Sequence, residues 1–281
     1  MLRFQPFAVE TDDGPHVTMQ AGVVHAGRYW TSSSRASRKV RQVRRLRHAS
    51  VLLTDGATTT VAAGAATVLD PLHPLDAAAD PTALAASGPA LVRLGLTYPE
   101  EVAGYVRSIG RVPTEWWPVA RVLVVVQLED RVDSVDGEVV AAVGAFDRLV
   151  PRPRTSRWAP HRRPKLGELP SPAIELATAG GPCAVGLMTP SGAVVIPGAW
   201  SYDDGIVAVA EPVLRQLAPQ LPGPCCVTLD RSDDRHPDRK SGVMLRGRCA
   251  PIARDGATAT LAVRIERTTH WDGFATSTVA A

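Results

Sequence analysis

The sequence has few lysines: of 31 basic residues only Lys39, Lys165 and Lys240 are lysine, the rest arginine. It has no run of 18 apolar residues, so no transmembrane helix is expected. Residues 1–10 lack a basic and then apolar leader pattern, so secretion is not expected and a cytoplasmic location is. The four cysteines, Cys183, Cys225, Cys226 and Cys249, lie in apolar runs of the second half. Their spacing fits no zinc pattern, and reduced, buried thiols are expected. No glycine-rich nucleotide fingerprint is present, which excludes a Rossmann site, and no nucleophile arrangement supports hydrolysis.

The chain has 281 residues, 45% of them hydrophobic and 21% charged, which excludes a wholly disordered polymer. Its net charge of +3 is a sum of unlike parts. Residues 35–47 hold seven basic groups and no acid, and residues 151–172 hold six against Glu168. The two stretches total +12, leaving −9 on the remainder. Such islands argue against a broad nucleic-acid or membrane surface.

Six prolines in residues 151–172 forbid regular structure there. They mark an extended linker between residues 1–150 and 173–281. The two flanking regions repeat the same order of elements. In the first, strands are expected at 16–24 and 28–32, a helix at 34–47, and strands at 49–54, 58–69 and 120–128. In the second, strands are expected at 184–188, 193–200 and 206–210, a helix at 213–221, and strands at 225–230, 243–251 and 259–266. The segment 51–55 corresponds to 226–230, and 64–66 to 247–249. Short Val- and Thr-rich strands between turn residues suit closed antiparallel barrels, since closure removes exposed edges. The expected fold is mainly β, with two tandem split barrels forming an internal pseudo-dimer.

Chemistry concentrates in residues 28–55, RYWTSSSRASRKVRQVRRLRHASVLLTD. A strand ends at Tyr29-Trp30-Thr31. Ser32, Ser33 and Ser34 are each suited to cap a helix, and Ala36, Val40, Val43 and Leu46 then recur at helical spacing. Arg35, Arg38 and Lys39 stand near the helix start, where the dipole disfavours cations by about 0.3–1 kcal/mol each. Serines, free N–H groups and cations gathered there are what a phosphate monoester requires. The alternative is a basic helix face that is solvated, or that binds nucleic acid or an acidic partner as a non-catalytic module. Asp233, Asp234, His236 and Asp238 are possible metal ligands, but their basic neighbours favour a solvated loop. Residues 267–274 would pack as a C-terminal clip or close over a ligand. Trp116 and Trp117 would staple a helix to the barrel or stack on a ring.

The same segment resembles the flavin-binding core of the pyridoxamine 5'-phosphate oxidase-like split barrels. The resemblance lies in the aromatic strand ending at Thr31, in Ser37-Arg38-Lys39, and in Gly64-Ala65-Ala66 leading to Asp70-Pro71. It implies FMN between two barrels, with a deazaflavin coenzyme or haem as alternatives, and a redox role on an unidentified small-molecule substrate. It implies that Arg38 and Lys39 hold the phosphate and that Ser32 and Ser37 add hydrogen bonds. Trp30 and Thr31 would lie along the ring or ribityl chain, and Thr18 would face the ring. Gln42 would face the phosphate or the other barrel. No catalytic acid or base is identified. The equivalent residues 208–216 have Glu211 where a phosphate would lie and only Arg215 to attract it. One intact site per chain is therefore expected, with further homodimerisation left open.

Overall fold

A computed structural model describes residues 4–73, 78, 80–107, 110, 114, 117–148, 169–231, 240–273 and 275–280. The expected linker lies outside these residues except at its end. There Ser171 and Pro172 already belong to a helix, Ser171–Ala179. Trp116 and the proposed metal ligands of residues 233–238 also lie outside them.

The first half opens with β1 (Gln5–Thr11), β2 (Gly14–Gln20), β3 (Gly22–His25) and β4 (Arg28–Ser34). Helix α1 (Arg38–Leu46) follows, then β5 (His48–Asp55) and β6 (Thr58–Leu69). Helices α2 (Pro81–Thr97) and α3 (Pro99–Arg107) come next, then β7 (Arg121–Gln127), β8 (Asp130–Val135) and β9 (Glu138–Val143). The strand order is β2-β1-β5-β6-β7-β4-β3, with β8 and β9 extending from β6. Only Ala21 separates the two end strands in sequence, so the sheet curls back on itself.

The second half, after α4 (Ser171–Ala179), runs β10 (Gly181–Thr189), β11 (Gly192–Ser201) and β12 (Ile206–Ala210). Then come α5 (Glu211–Leu217), β13 (Gly223–Asp230), β14 (Ser241–Asp255), β15 (Thr258–Asp272) and β16 (Ala275–Ala280). Its order is β12-β11-β10-β13-β14-β15-β16, and pairing of β12 with β15 closes a six-stranded ring. The fold is mainly β, two split barrels in tandem. Strands β1, β8, β9 and β16 are additional to those expected. Of the tail at 267–274, residues 267–272 are the end of β15, and Phe274 lies outside the described residues.

The halves are copies in detail. Thr11 caps its own hairpin by donating to the Gly14 carbonyl at 2.7 Å, and Thr189 does the same to Gly192 at 2.9 Å. Gly14 has φ +101° and Gly192 φ +117°, conformations that glycine adopts without strain. Each hairpin tip abuts the other half. A Cβ on Gly14 would meet the Pro224 Cβ at 2.6 Å, and one on Gly192 would meet the His48 Nδ1 at 2.8 Å. Pro224 and His48 both stand at the start of their strands, β13 and β5, so the contact is reciprocal, as about a twofold axis.

One apolar cluster accordingly spans both halves: Ala8, Val17, Leu52 and Val61 pack with Val185, Leu187, Val194 and Ile196. Complete burial of each large member stabilises by about 1.5–3 kcal/mol.

A second repeated device fixes the path of the sheet. A Cβ on Gly64 would run into the Gln127 carbonyl oxygen, and one on Gly247 into the Arg264 carbonyl oxygen. Neither obstacle is a flexible side-chain end. Gly64→Ala and Gly247→Ala should therefore each destabilise by about 1–3 kcal/mol through forced backbone movement. Thermal unfolding of each variant against Gly256→Ala, where a Cβ meets nothing within 4 Å, checks this and separates crowding from conformational strain.

Candidate functional site

Helix α1 is shorter than its apolar spacing suggested. The β4–β7 ladder continues through Ser34, which pairs with Arg121, so Ser32, Ser33 and Ser34 are strand residues. The Arg35 N–H then donates to the Ala120 carbonyl at 2.8 Å. The cap is Ser37, whose hydroxyl accepts from the Val40 N–H at 3.3 Å and lies 3.1 Å from the Ser33 hydroxyl. Val40 and Val43 face inward and hold the helix on the sheet.

Most of the basic island is matched by the acidic remainder. Asp70, wholly buried, receives Arg35 through two nitrogens at 2.8 and 2.9 Å and Arg44 at 2.6 Å. Arg45 pairs with Asp12 at 2.7 Å. Arg35 therefore does not stand unanswered at the helix start, and the dipole conflict narrows to Arg38 and Lys39. Arg38 pairs with Asp13 at 2.8 Å, and Arg267 of β15 reaches the same carboxylate oxygen at 3.1 Å. The Arg38–Asp13 pair is half-exposed, and such pairs are worth about 0–1 kcal/mol, so an incoming anion can compete for Arg38. Lys39 has no carboxylate contact among the described residues. Burial, with Arg121 and Lys240 beside it, pushes its amine down to about 7.

The other expected site residues divide. Ser32 is gripped by Arg121, which donates to its hydroxyl at 2.8 Å and its carbonyl at 2.7 Å. Thr18 lies on β2, half-buried, and accepts from Gln20 at 3.3 Å. Gln42 presents a buried Oε1 with no partner among the described residues. The side chains of Trp30 and Thr31 are engaged within the fold. The Trp30 indole is buried with Val23, Leu69, Ala83 and Tyr98 and donates to the His25 carbonyl at 3.0 Å. The Thr31 hydroxyl is spent on the Ala21 carbonyl at 2.7 Å. Only the backbone of these two residues is left for a ligand.

Several groups of the site are not evident from the α1 motif. His16, on β2, is pushed down to about 3 by burial and by the charges of Lys39, Arg246 and Arg38. It is a neutral imidazole with an unpartnered Nδ1 among the described residues. Arg246 and Arg267 come from β14 and β15 of the second half, so the cluster is built across the two barrels. Asp13, on the turn after β1, is the carboxylate shared by Arg38 and Arg267, held below its usual range first by the hydrogen bond from Arg38.

Pseudosymmetry locates the mate of this crevice. Gly64 lies against Gln127 as Gly247 lies against Arg264, so β7 superposes on β15 with Arg121 at Thr258. The β4–β7 and β12–β15 pairings then set Ser32, Ser33 and Ser34 at Ala208, Val209 and Ala210. A cavity of about 360 Å³ lies there, between Ala208–Ala210 and the Asp136-Gly137 turn of β8 and β9. Its lining holds no arginine or lysine among the described residues. Glu211 opens α5, buried, and is paired with Arg215 at 2.6 Å and Arg254 at 3.2 Å, so the nearby cations are matched by a carboxylate of the chain itself.

No family model matches the chain, and no curated protein matches it. Among solved structures, similarity is found to General Stress Protein 26 from Bacillus anthracis, at 13% identity and TM-score 0.31, over 49% of this chain and 88% of that one. Other similar solved structures include proteins described as related to pyridoxamine 5'-phosphate oxidase. One is a pyridoxamine 5'-phosphate oxidase-related, FMN binding protein from Nostoc punctiforme, at 11% identity and TM-score 0.34, over 47% of this chain and 74% of that one. The heme storage protein HutZ from Vibrio cholerae matches at 14% identity and TM-score 0.33, over 48% of this chain and 87% of that one.

Proposed function

We propose that the chain binds one flavin mononucleotide, with its phosphate at the start of α1, and serves as a flavin-dependent oxidoreductase on a small-molecule substrate. The observation that carries this reading is the meeting of Arg38 and Lys39 with Arg246, Arg267 and the neutral His16 at the seam of two split barrels, with Asp13 as the carboxylate of that group. A phosphate dianion satisfies the unanswered charge, and the N–H groups at the start of α1 add to it. The mate, whose arginines Arg215 and Arg254 are engaged by Glu211, supports one site per chain.

When bound, the flavin would supply the hydride chemistry; the protein supplies placement and electrostatics. Arg38 and Lys39 would hold the phosphate, and the Ser37 hydroxyl orders the turn that presents them. Arg121 keeps Ser32 in place, and Thr18 offers a polar group on β2. The basic-helix alternative is weakened because Arg35, Arg38, Arg44 and Arg45 are engaged by Asp70, Asp13 and Asp12.

Equilibration with FMN followed by gel filtration should give a yellow protein with the visible bands of oxidised flavin. Arg38→Ala combined with Lys39→Ala should weaken binding by about 100-fold or more, since each charge-assisted contact contributes about 1.5–3 kcal/mol. A Soret band after haem addition, or a single deazaflavin band, would redirect the assignment. A protein that takes up no FMN ends it.

A further inference from the structure

The cations of the crevice form two groups. Lys39 lies by Arg121 and Lys240, whereas Arg246 lies by Arg38, Arg267 and Asp13, and His16 feels both. Arg246 is only 7% exposed. One of its nitrogens, Nη2, donates to the Thr269 hydroxyl at 3.0 Å. Its Nε and Nη1 are buried with no partner among the described residues. A buried guanidinium with two unpartnered nitrogens is costly. Arg246 precedes Gly247 as Ala63 precedes Gly64, and the pseudosymmetric position in the first half is thus an alanine. The β14–β15 register slips between Arg246 and Gly247, the kind of irregularity that re-aims a side chain.

We propose that Arg246 is a second oxyanion subsite, contributed by the second barrel, that takes the carboxylate or phosphate of an acidic substrate beside the cofactor. Its Nε–H and Nη1–H groups are open, and Nη2 holds a second proton beyond the one given to Thr269, so an oxyanion can be met by one of arginine's planar forks. The proposal deepens the flavin reading and rests on it for the identity of the first anion. A substrate held there carries an acidic group, and the flavin reading places its reacting bond toward the ring.

Calorimetric titration of the full chain with inorganic phosphate should count two sites, of which saturating FMN abolishes one. Phosphate binding that survives FMN should weaken about 10–100-fold in Arg246→Met and be partly kept in Arg246→Lys, which retains charge without the fork. A parallel titration with malonate distinguishes a carboxylate headgroup from a phosphate by which anion binds tighter. The thermal midpoint of ligand-free Arg246→Met should equal or exceed that of the parent, because a buried, incompletely partnered charge is removed. The proposal is overturned if the FMN-loaded protein binds neither anion, if Arg246→Met binds them unchanged, or if that variant unfolds several degrees lower or does not fold. A chain that binds phosphate through Arg246 but never binds FMN would sink the flavin reading and leave the subsite standing.

Discussion

Asp70→Asn should lower the stability of the ligand-free protein by about 3 kcal/mol. Its carboxylate is wholly buried and receives three charged hydrogen bonds, two from Arg35 and one from Arg44, while Oδ1 also accepts the Leu72 N–H at 3.0 Å. Asparagine keeps the shape and an acceptor for Leu72 but removes the charge that two guanidinium groups share. Breaking a buried pair from one side costs about 3–5 kcal/mol; the partial exposure of both arginines sets the lower end. For a chain of this size that corresponds to roughly 6–12 °C in the thermal midpoint. Burial pushes the Asp70 carboxyl up, but hydrogen bonds from Arg35, the Leu72 N–H and Arg44 outweigh it and hold it at about 2, below the ordinary 3.8. Its stabilisation is therefore complete above the ordinary value and is lost as pH falls through about 2. Denaturant unfolding across the acid range, parent against Asp70→Asn, checks both points. An unchanged midpoint, or a parent with no added loss in acid, would show that the Arg35–Asp70–Arg44 cluster does not fasten α1 to the sheet.

That cluster also shows where sequence legibility stops. The order of strands and the glycines at 64 and 247 were open to inspection, because alternation and turn chemistry are local. The basic island was equally visible, but which of its members were free was not. Asp70 lies beyond two strands from Arg35, and only the fold shows that it neutralises Arg35 and Arg44. The serines misled in the same way. A run of three suits a helix cap, yet the long-range ladder to β7 claims them as strand and leaves Ser37 the cap. Trp30 at a strand end invites stacking on a ring, but α2 covers that face of the sheet and buries the indole. Arg246 and Arg267 stand some 200 residues from α1 in sequence, and no local pattern joins them to it. One signal was present: aligned on the two glycines, the copies put arginine at 246 against alanine at 63.

Binding of FMN should depend steeply on pH, through Lys39. Burial first, and then repulsion from Arg121 and Lys240, lowers its amine to about 7, so the ligand-free side chain is half neutral at that pH. A phosphate dianion beside it favours the ammonium form. FMN is doubly charged at its phosphate above about pH 6. In the alkaline range the ligand therefore binds together with one proton. The dissociation constant should then rise about tenfold per pH unit above the Lys39 value, or about 100-fold between pH 7 and 9, until the bound-state amine itself titrates. The same group acts on folding with the opposite appearance. Its folded value lies below the unfolded 10.5, so the unfolded chain binds more protons between about 7 and 10.5, and the empty protein gains stability as pH rises through that range. Alkali should thus strengthen the empty fold while weakening its hold on the cofactor, a pairing that general alkaline damage does not produce. Quenching of FMN fluorescence on titration from about pH 6.5 to 9.5 reads the first effect, and urea unfolding over the same range reads the second. Lys39→Met should bind FMN weakly with the slope removed, whereas Lys39→Arg should keep tight binding and also lose the slope, since a guanidinium stays charged throughout. A parent protein whose FMN affinity is flat across this range would remove Lys39 from the phosphate and leave Arg38 as its holder.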